Sequence, residues 1–204
     1  MVEYIEKVIY INLEERTDRN EEIKNELLSV FSEDKIIRFN AIKLNGYGVG
    51  CSSSHIEALK MAIENNWTNC LIVEDDAKFN NFENGNNILK TLITNPYDVI
   101  ILGGIINYGS GAPEKETFRV KNCQTTTAYL VSNHYYKTLL NNFEEGCNAL
   151  KQGSCINTYT IDQYWKRLQE KDNFFMIYPV LMYQRPSYSN IQGYYTDYTS
   201  FFTI

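Results

Sequence analysis

The chain has 204 residues, 44% of them hydrophobic and 22% charged, a balance that fits one folded domain and excludes a mainly disordered polypeptide. Its formal charge of −6, with no basic run longer than the pair Lys166-Arg167, excludes a nucleic-acid binder driven by phosphate neutralisation. No apolar stretch approaches the roughly 20 residues that span a bilayer, so no transmembrane segment is expected.

The first residues, Met1 to Lys7, carry acids where a secretory leader carries bases, and the five scattered cysteines form no C-x-x-C pair. A cytoplasmic location with reduced thiols is the resulting expectation. Lys7 to Leu13 is a short apolar run rich in β-branched residues and predicts a buried strand. Thr17 to Val30 predicts a helix with Ile23, Leu27, Leu28 and Phe31 on one face, and Lys35 to Phe39 a second strand. Asn45 to Ser54 reads as a small-residue loop, with Ser54 capping the next helix and His55 in its first turn. Ile56, Leu59, Ala62 and Ile63 give that helix its apolar face. Cys70 to Val73 is a continuous apolar strand running into Glu74-Asp75-Asp76.

Further strands are expected at Tyr97 to Leu102, ending at Gly103-Gly104, and at Phe118 to Val120, Thr125 to Val131 and Phe174 to Met182. A Gly- and Pro-containing loop is expected at 107–115, and helices at Asn133 to Phe143, capped by Ser132 or Asn133, and at Thr160 to Leu168. Gln184 to Ile204 is a Tyr-rich tail. Alternation of strand and helix at these lengths predicts an α/β fold, its mainly parallel sheet covered on both faces.

The acids Glu74-Asp75-Asp76 stand at the carboxyl end of a buried strand, where open α/β sheets bind ligands. Consecutive carboxylates repel and are costly to desolvate, so a divalent cation or ligand hydroxyls would relieve them. Hard oxygen ligands suit Mg²⁺ or Mn²⁺ bridging a pyrophosphate, while a solvated turn or helix cap is the plainer alternative. Arg16 and Arg19 follow the first strand and suit a diphosphate, or else pair with Glu14, Glu15 or Glu22. The glycines of Gly46-Tyr-Gly-Val-Gly do not follow the first strand and miss G-x-G-x-x-G spacing, which disfavours a nicotinamide-dependent dehydrogenase. His55 and His134, the two histidines, assemble no Ser-His-Asp order.

Together these segments resemble glycosyltransferase family 25, which includes lipooligosaccharide galactosyltransferases and collagen hydroxylysine glycosyltransferases. The matching pieces run from Ile11-Asn12-Leu13-Glu14-Glu15-Arg16-Thr17-Asp18-Arg19 through Gly50-Cys51 with Ser54-His55 and Leu71-Ile72-Val73-Glu74-Asp75-Asp76-Ala77. They continue through Asp98-Val99-Ile100-Ile101-Leu102-Gly103-Gly104, Thr127-Ala128-Tyr129-Leu130-Val131-Ser132 and Ile161-Asp162-Gln163-Tyr164-Trp165. Pro179-Val180-Leu181 with Gln184 and Ser189-Asn190-Ile191 completes an ordered series over about residues 7 to 191.

The resemblance implies a GT-A fold: a Rossmann-like three-layer sandwich with a mixed, mostly parallel central sheet, in one domain over residues 1–204. Residues 1–104 form the nucleotide-sugar half and 105–204 the acceptor half. It implies transfer of a hexose, galactose or glucose, from a UDP-sugar with Mn²⁺ (or Mg²⁺) to a hydroxyl on a glycan or hydroxylysine. By the same resemblance Asp76 ligates the metal, with Asp75 in the metal shell and Glu74 and Asp75 near the ribose. Asn12, Arg16 and Arg19 hold the nucleotide, helped by Ser54 and His55. Gln184, Ser189 and Asn190 belong to a segment returning to the metal and phosphates. Family 25 is treated as inverting, which calls for a general base, and Asp162 is the candidate.

Where members often carry Ser-Asp-Ile this chain has Ser189-Asn190-Ile191, which weakens a metal ligand there and leaves His134 as a remote substitute. The tail aromatics Tyr194, Tyr195, Tyr198, Phe201 and Phe202 suit stacking on an acceptor sugar, a homodimer contact, or burial in the chain's own core. Two other functions compete: a non-catalytic nucleotide-sugar- or glycan-binding module, and a nucleotidyltransferase, which also uses clustered acids and a metal.

Overall fold

The computed structural model describes residues 2–80, 82–106 and 116–202. Its first half alternates strand and helix: β1 (Lys7–Asn12), α1 (Thr17–Leu28), β2 (Ile36–Asn40), α2 (Val49–Glu64), β3 (Asn69–Glu74), β4 (Ala77–Phe79), α3 (Phe82–Ile93) and β5 (Val99–Ile106). The second half contains β6 (Thr117–Arg119), β7 (Cys123–Ser132), α4 (Tyr136–Lys151), the single-turn helices α5 (Ile156–Tyr159), α6 (Ile161–Tyr164) and α7 (Lys166–Gln169), then β8 (Phe174–Ile177), β9 (Met182–Gln184), β10 (Ser187–Ser189) and β11 (Tyr194–Thr196). Among the described residues, seven strands form one sheet in the order β2-β1-β3-β7-β5-β8-β6. β1 pairs in parallel with β2 and β3, and β5 with β8, whereas β7 and β6 run against their neighbours. The sheet is therefore mixed and mostly parallel, as the sequence leads one to expect.

Side-chain alternation along the central strands builds two cores. Ile9, Ile11, Ile72, Tyr129 and Val131 face α2 and α4, meeting Leu59, Ala62, Leu139 and Phe143. Val8, Tyr10, Leu71, Val73 and Leu130 face the other way, against Ile23 and Leu27 of α1 and Leu89 and Leu92 of α3. A strand buried on both faces must be apolar at every position, which is why these runs are unbroken in the sequence.

Several local expectations change. α2 starts at Val49 after Gly48, which adopts φ 73° at the N-cap, so Ser54 lies inside the helix and does not cap it, and His55 falls in the second turn. Gly50 is required by packing, because a Cβ there would stand 2.5 Å from the Ile42 carbonyl oxygen. α3 has no counterpart among the sequence expectations. β5 continues through Gly103-Gly104 to Ile106, and α4 runs on to Lys151 with no side-chain cap from Ser132 or Asn133. The expected helix from Thr160 to Leu168 is divided into α6 and α7. The expected last strand ends at Ile177, and beyond Pro179 the chain pairs as β9 with β4. The loop expected at 107–115 lies outside the described residues. Among the described residues no helix is long and apolar enough to cross a membrane.

Candidate active site

β1 and β3 end side by side, with Ile11 opposite Glu74, and the chain beyond them carries the acids. Strand alternation divides those acids. Ile72 faces α2 and Val73 faces α1, so Glu74 continues toward α2 and Asp75 toward α1. On the α1 side, Asp75 accepts hydrogen bonds from Asn12 Nδ2 at 2.8 Å and Arg19 Nη1 at 2.7 Å. Asn12 is fully buried. Its Nδ2 also donates to the Arg16 carbonyl at 3.1 Å, and its Oδ1 accepts from Arg38 Nη2 at 2.7 Å. Asn12 thus fixes the loop that carries Arg16 and Arg19.

Asp76 stands between the two sides. Arg19 Nη1 lies 3.3 Å from its Oδ2, but its Oδ1 is buried with no hydrogen-bond partner. Burial and the charge of Glu74 push the Asp76 carboxyl up to about 7, Asp75 adding to this and Arg19 opposing it. The Gln184 side-chain oxygen is likewise buried and unpartnered. Buried, unpartnered carboxylate and amide oxygens are hard donors, so the residues present fit a Mn²⁺ or Mg²⁺ ion.

On the α2 side, Glu74 accepts from Thr126 Oγ1 at 2.6 Å and Gln184 Nε2 at 3.2 Å. Burial alone would raise its carboxyl, but the adjacent His55, with Thr126 and Gln184, outweighs burial and holds it below the usual range. His55 Nδ1 lies 2.7 Å from the buried Tyr129 hydroxyl, and its Nε2 stands 3.5 Å from Glu74 Oε1 without a hydrogen bond. Burial pushes the Cys51 thiol well up, with Glu74, Asp162 and Asp76 adding to it. Ser54 is not part of this wall: its Oγ donates to the Gly50 carbonyl and accepts from Ile42 N, each at 2.8 Å.

A bulge supplies the facing wall. Gly103 pairs with Ala128 and Ile105 with Gln124, so four steps along β7 match two along β5. Thr125 adopts φ 67°, uncommon for a β-branched residue, and its N–H donates to Asp162 Oδ2 at 3.2 Å. The next residue, Thr126, turns its hydroxyl onto Glu74. Asp162 is therefore joined to this wall through adjacent residues of β7. Gly103 lets β9 pass over β5, since a Cβ there would meet the Met182 carbonyl oxygen at 2.8 Å. β9 then delivers Gln184, and Arg185 follows, its N–H donating to the Asp76 carbonyl at 2.7 Å and its Nη2 to Glu26 Oε2 at 2.6 Å.

The hairpin β10–β11 closes on the arginines. Arg19 Nη2 donates to Ser187 Oγ and, at 3.1 Å, to the Tyr188 carbonyl, while Arg16 Nη1 donates to Asn190 Oδ1 at 2.9 Å. Arg16 also pairs with Asp18 at 2.9 Å. Ser189 Oγ accepts from Gln192 N at 3.2 Å, within its own turn. His134 does not join them. It follows β7, whose Ser132 pairs with Asn69 at the opposite end of β3, and its Nε2 is 2.7 Å from Asp98 Oδ1. A metal ligand role beside Asp76 is excluded for it by that distance along the strand. Among the tail aromatics, Phe202 is buried in the core facing α2 and α4, whereas Tyr194, Tyr195 and Phe201 are exposed. The Tyr47 phenol is raised first by burial, then by Tyr198, Asp162 and Tyr194.

Sequence reasoning missed Thr126, Arg38 and Arg185 as parts of this site. Cys51 and Tyr129 stood inside recognised segments, which was the available signal for them. A profile described as glycosyltransferase family 25 (LPS biosynthesis protein) matches residues 43–165. No curated protein sequence matches the chain. Among solved structures, a glycosyltransferase involved in glycosylation of the major capsid of PBCV-1 superposes with a TM-score of 0.58 at 12% identity, over 91% of this chain and 95% of that one. TarS 1-349 from S. aureus, in complex with UDP-GlcNAc, gives 0.52 at 14% identity, over 96% of this chain and 62% of that one. Mannose-1-phosphate geranyltransferase from Thermus thermophilus gives 0.51 at 8% identity, over 90% and 75%. At these identities the structural likenesses speak to the fold, which is of GT-A type.

Proposed function

Because the chain belongs to glycosyltransferase family 25, we propose that it transfers a hexose, galactose or glucose, from a UDP-sugar to an acceptor hydroxyl with inversion at the anomeric carbon. The observation that carries this reading is the buried, unpartnered Asp76 Oδ1 at the carboxyl end of β3, beside a cation-bearing loop held by Asn12. When bound there, Mn²⁺ would neutralise charge on the departing diphosphate. Asp76, with Asp75 behind it, would hold that ion, and Gln184 offers a second oxygen.

Arg16 and Arg19, fixed to the end of β1 through Asn12, would bind the diphosphate as bidentate cations. In the resting chain they hold Ser187, Tyr188 and Asn190, so nucleotide binding exchanges hairpin contacts for phosphate oxygens. Glu74, held ionised by its three neighbours, lines the sugar side and accepts hydroxyl hydrogen bonds. Asp162, tied to the β7 bulge, faces the acceptor half and would take the proton from the attacking hydroxyl. The exposed rings of Tyr47, Tyr194 and Tyr195 favour a glycan acceptor over a hydroxylysine side chain, because aromatic faces stack on the apolar face of a pyranose.

Calorimetric titration of UDP into the purified chain tests the reading, with Mn²⁺ present and again after chelation. Binding that requires Mn²⁺, followed by release of UDP from a UDP-hexose when a glycan acceptor is added, is the expected result. Nucleotide binding with no transfer across a broad acceptor panel would favour a binding module descended from such an enzyme. Release of pyrophosphate would indicate a nucleotidyltransferase instead.

A further inference from the structure

Beneath the acidic shelf, on the α2 side, lies a second group of metal-ligating atoms. Cys51 and His55 are four residues apart on α2 and so share one helix face, and Glu74 approaches them from the end of β3. A sulfur from Cys51, a ring nitrogen of His55 and a carboxylate oxygen of Glu74 all lie within 4.8 Å of one another. His55 is 1% exposed, and its Nε2 is turned into this group with no hydrogen-bond partner. A plain His–Glu ion pair leaves that nitrogen without a hydrogen bond at 3.5 Å, and it gives Cys51 no role.

We propose that Cys51, His55 and Glu74 form a zinc site that fastens α2 to β3, separate from the ion held at Asp76. Zn²⁺ accepts thiolate, imidazole and carboxylate together, and its bond lengths of about 2.0–2.3 Å set ligand-to-ligand spacings of roughly 3.3–3.7 Å. The His55-to-Glu74 separation of 3.5 Å already falls there. The surroundings supply what such a site needs around it. Tyr129 OH, 2.7 Å from Nδ1, would receive the other ring N–H when Nε2 ligates, fixing the ring's tautomer. Thr126 and Gln184 orient the Glu74 carboxylate. The Glu74 side chain keeps 22% of its surface exposed, which would leave a fourth position open to solvent. Zinc and manganese separate by ligand softness: the thiolate and imidazole select the first, the oxygens near Asp76 the second. This inference is argued from the geometry of α2 and β3, and it shares Glu74 with the sugar side proposed above.

The test is metal uptake by the 204-residue chain, read without any nucleotide. Chelator-treated protein should bind one Zn²⁺ per chain, and Co²⁺ added in its place should give a thiolate-to-cobalt charge-transfer band. Cys51→Ser should abolish the band and His55→Gln should shift or abolish it, with circular dichroism showing that each variant is folded. Cys155→Ser, which removes the exposed thiol, and Asp76→Asn should leave the band intact. No stoichiometric uptake, a band that survives Cys51→Ser, or a band lost in Asp76→Asn would each overturn the proposal. UDP binding, measured separately, fails or succeeds independently of this result.

Discussion

Asp76 carries a standing electrostatic cost in the metal-free chain, and its sign can be worked out. Its carboxyl rises from an ordinary 3.8 to about 7 on folding, so the unfolded chain ionises first. The stability this group contributes is complete below its unfolded value and is lost as pH rises through the folded one. Thermal melts of chelator-treated protein should therefore show stability falling between about pH 4 and 7, and Asp76→Asn should flatten that fall. The same substitution should lower hexose transfer on the order of 10²–10³-fold or more, the scale of removing one preorganised electrostatic contact, as UDP-release assays would register. Asn12 predicts the opposite balance. Asn12→Ala would leave Asp75 and Arg38 short of buried partners, at about 1–3 kcal/mol in a denaturant titration.

At the scale of elements, the start of α2 governs the site, because it sets the pitch at which Cys51 and His55 meet β3. Gly50→Ala drives a methyl into the Ile42 carbonyl and should cost roughly 1–3 kcal/mol in chemical denaturation. It should also weaken UDP binding less than Asp76→Asn does. This region also marks where sequence reading loses its grip. Three glycines and a run of serines read as a loop, yet Gly48 and Gly50 serve helix initiation and close packing, and Ser54 ties the helix back to Ile42. α3 escaped notice because Gly85, Asn86 and Asn87 are poor helix formers, and its helicity comes from tertiary packing of Leu89 and Leu92. The unbroken strands were legible because burial on both faces leaves no polar position. The acids were legible because they end such a strand. Thr126 and Arg185 were not, since only a bulge and a chain crossing bring them to Glu74 and Asp76.

For the molecule as a whole, the longest-range polar contacts among the described residues join the start of α1 to the hairpin, residues 16 and 19 to residues 187–190. These contacts are partly exposed and hold a two-stranded ribbon that is marginal by itself. Arg16→Ala should leave the global melting temperature within about a degree or two, because exposed pairs contribute only about 0–1 kcal/mol. It should nonetheless speed limited proteolysis within residues 187–196 and weaken UDP binding. Saturating UDP in the wild-type chain should also alter cleavage there, by drawing the arginines toward phosphate.

The path of β9 carries one more consequence. Gln184 and Arg185 reach the acids only after every strand of the large sheet has been laid down, β7 having inserted between β3 and β5. During synthesis, a nascent polypeptide that has emerged as far as residue 177 already owns the whole sheet but lacks the segment that braces Glu74 and Asp76. A fragment stopping short of β9 would therefore carry the sheet without the residues that brace its acids, and on the proposed reading it would bind donor poorly.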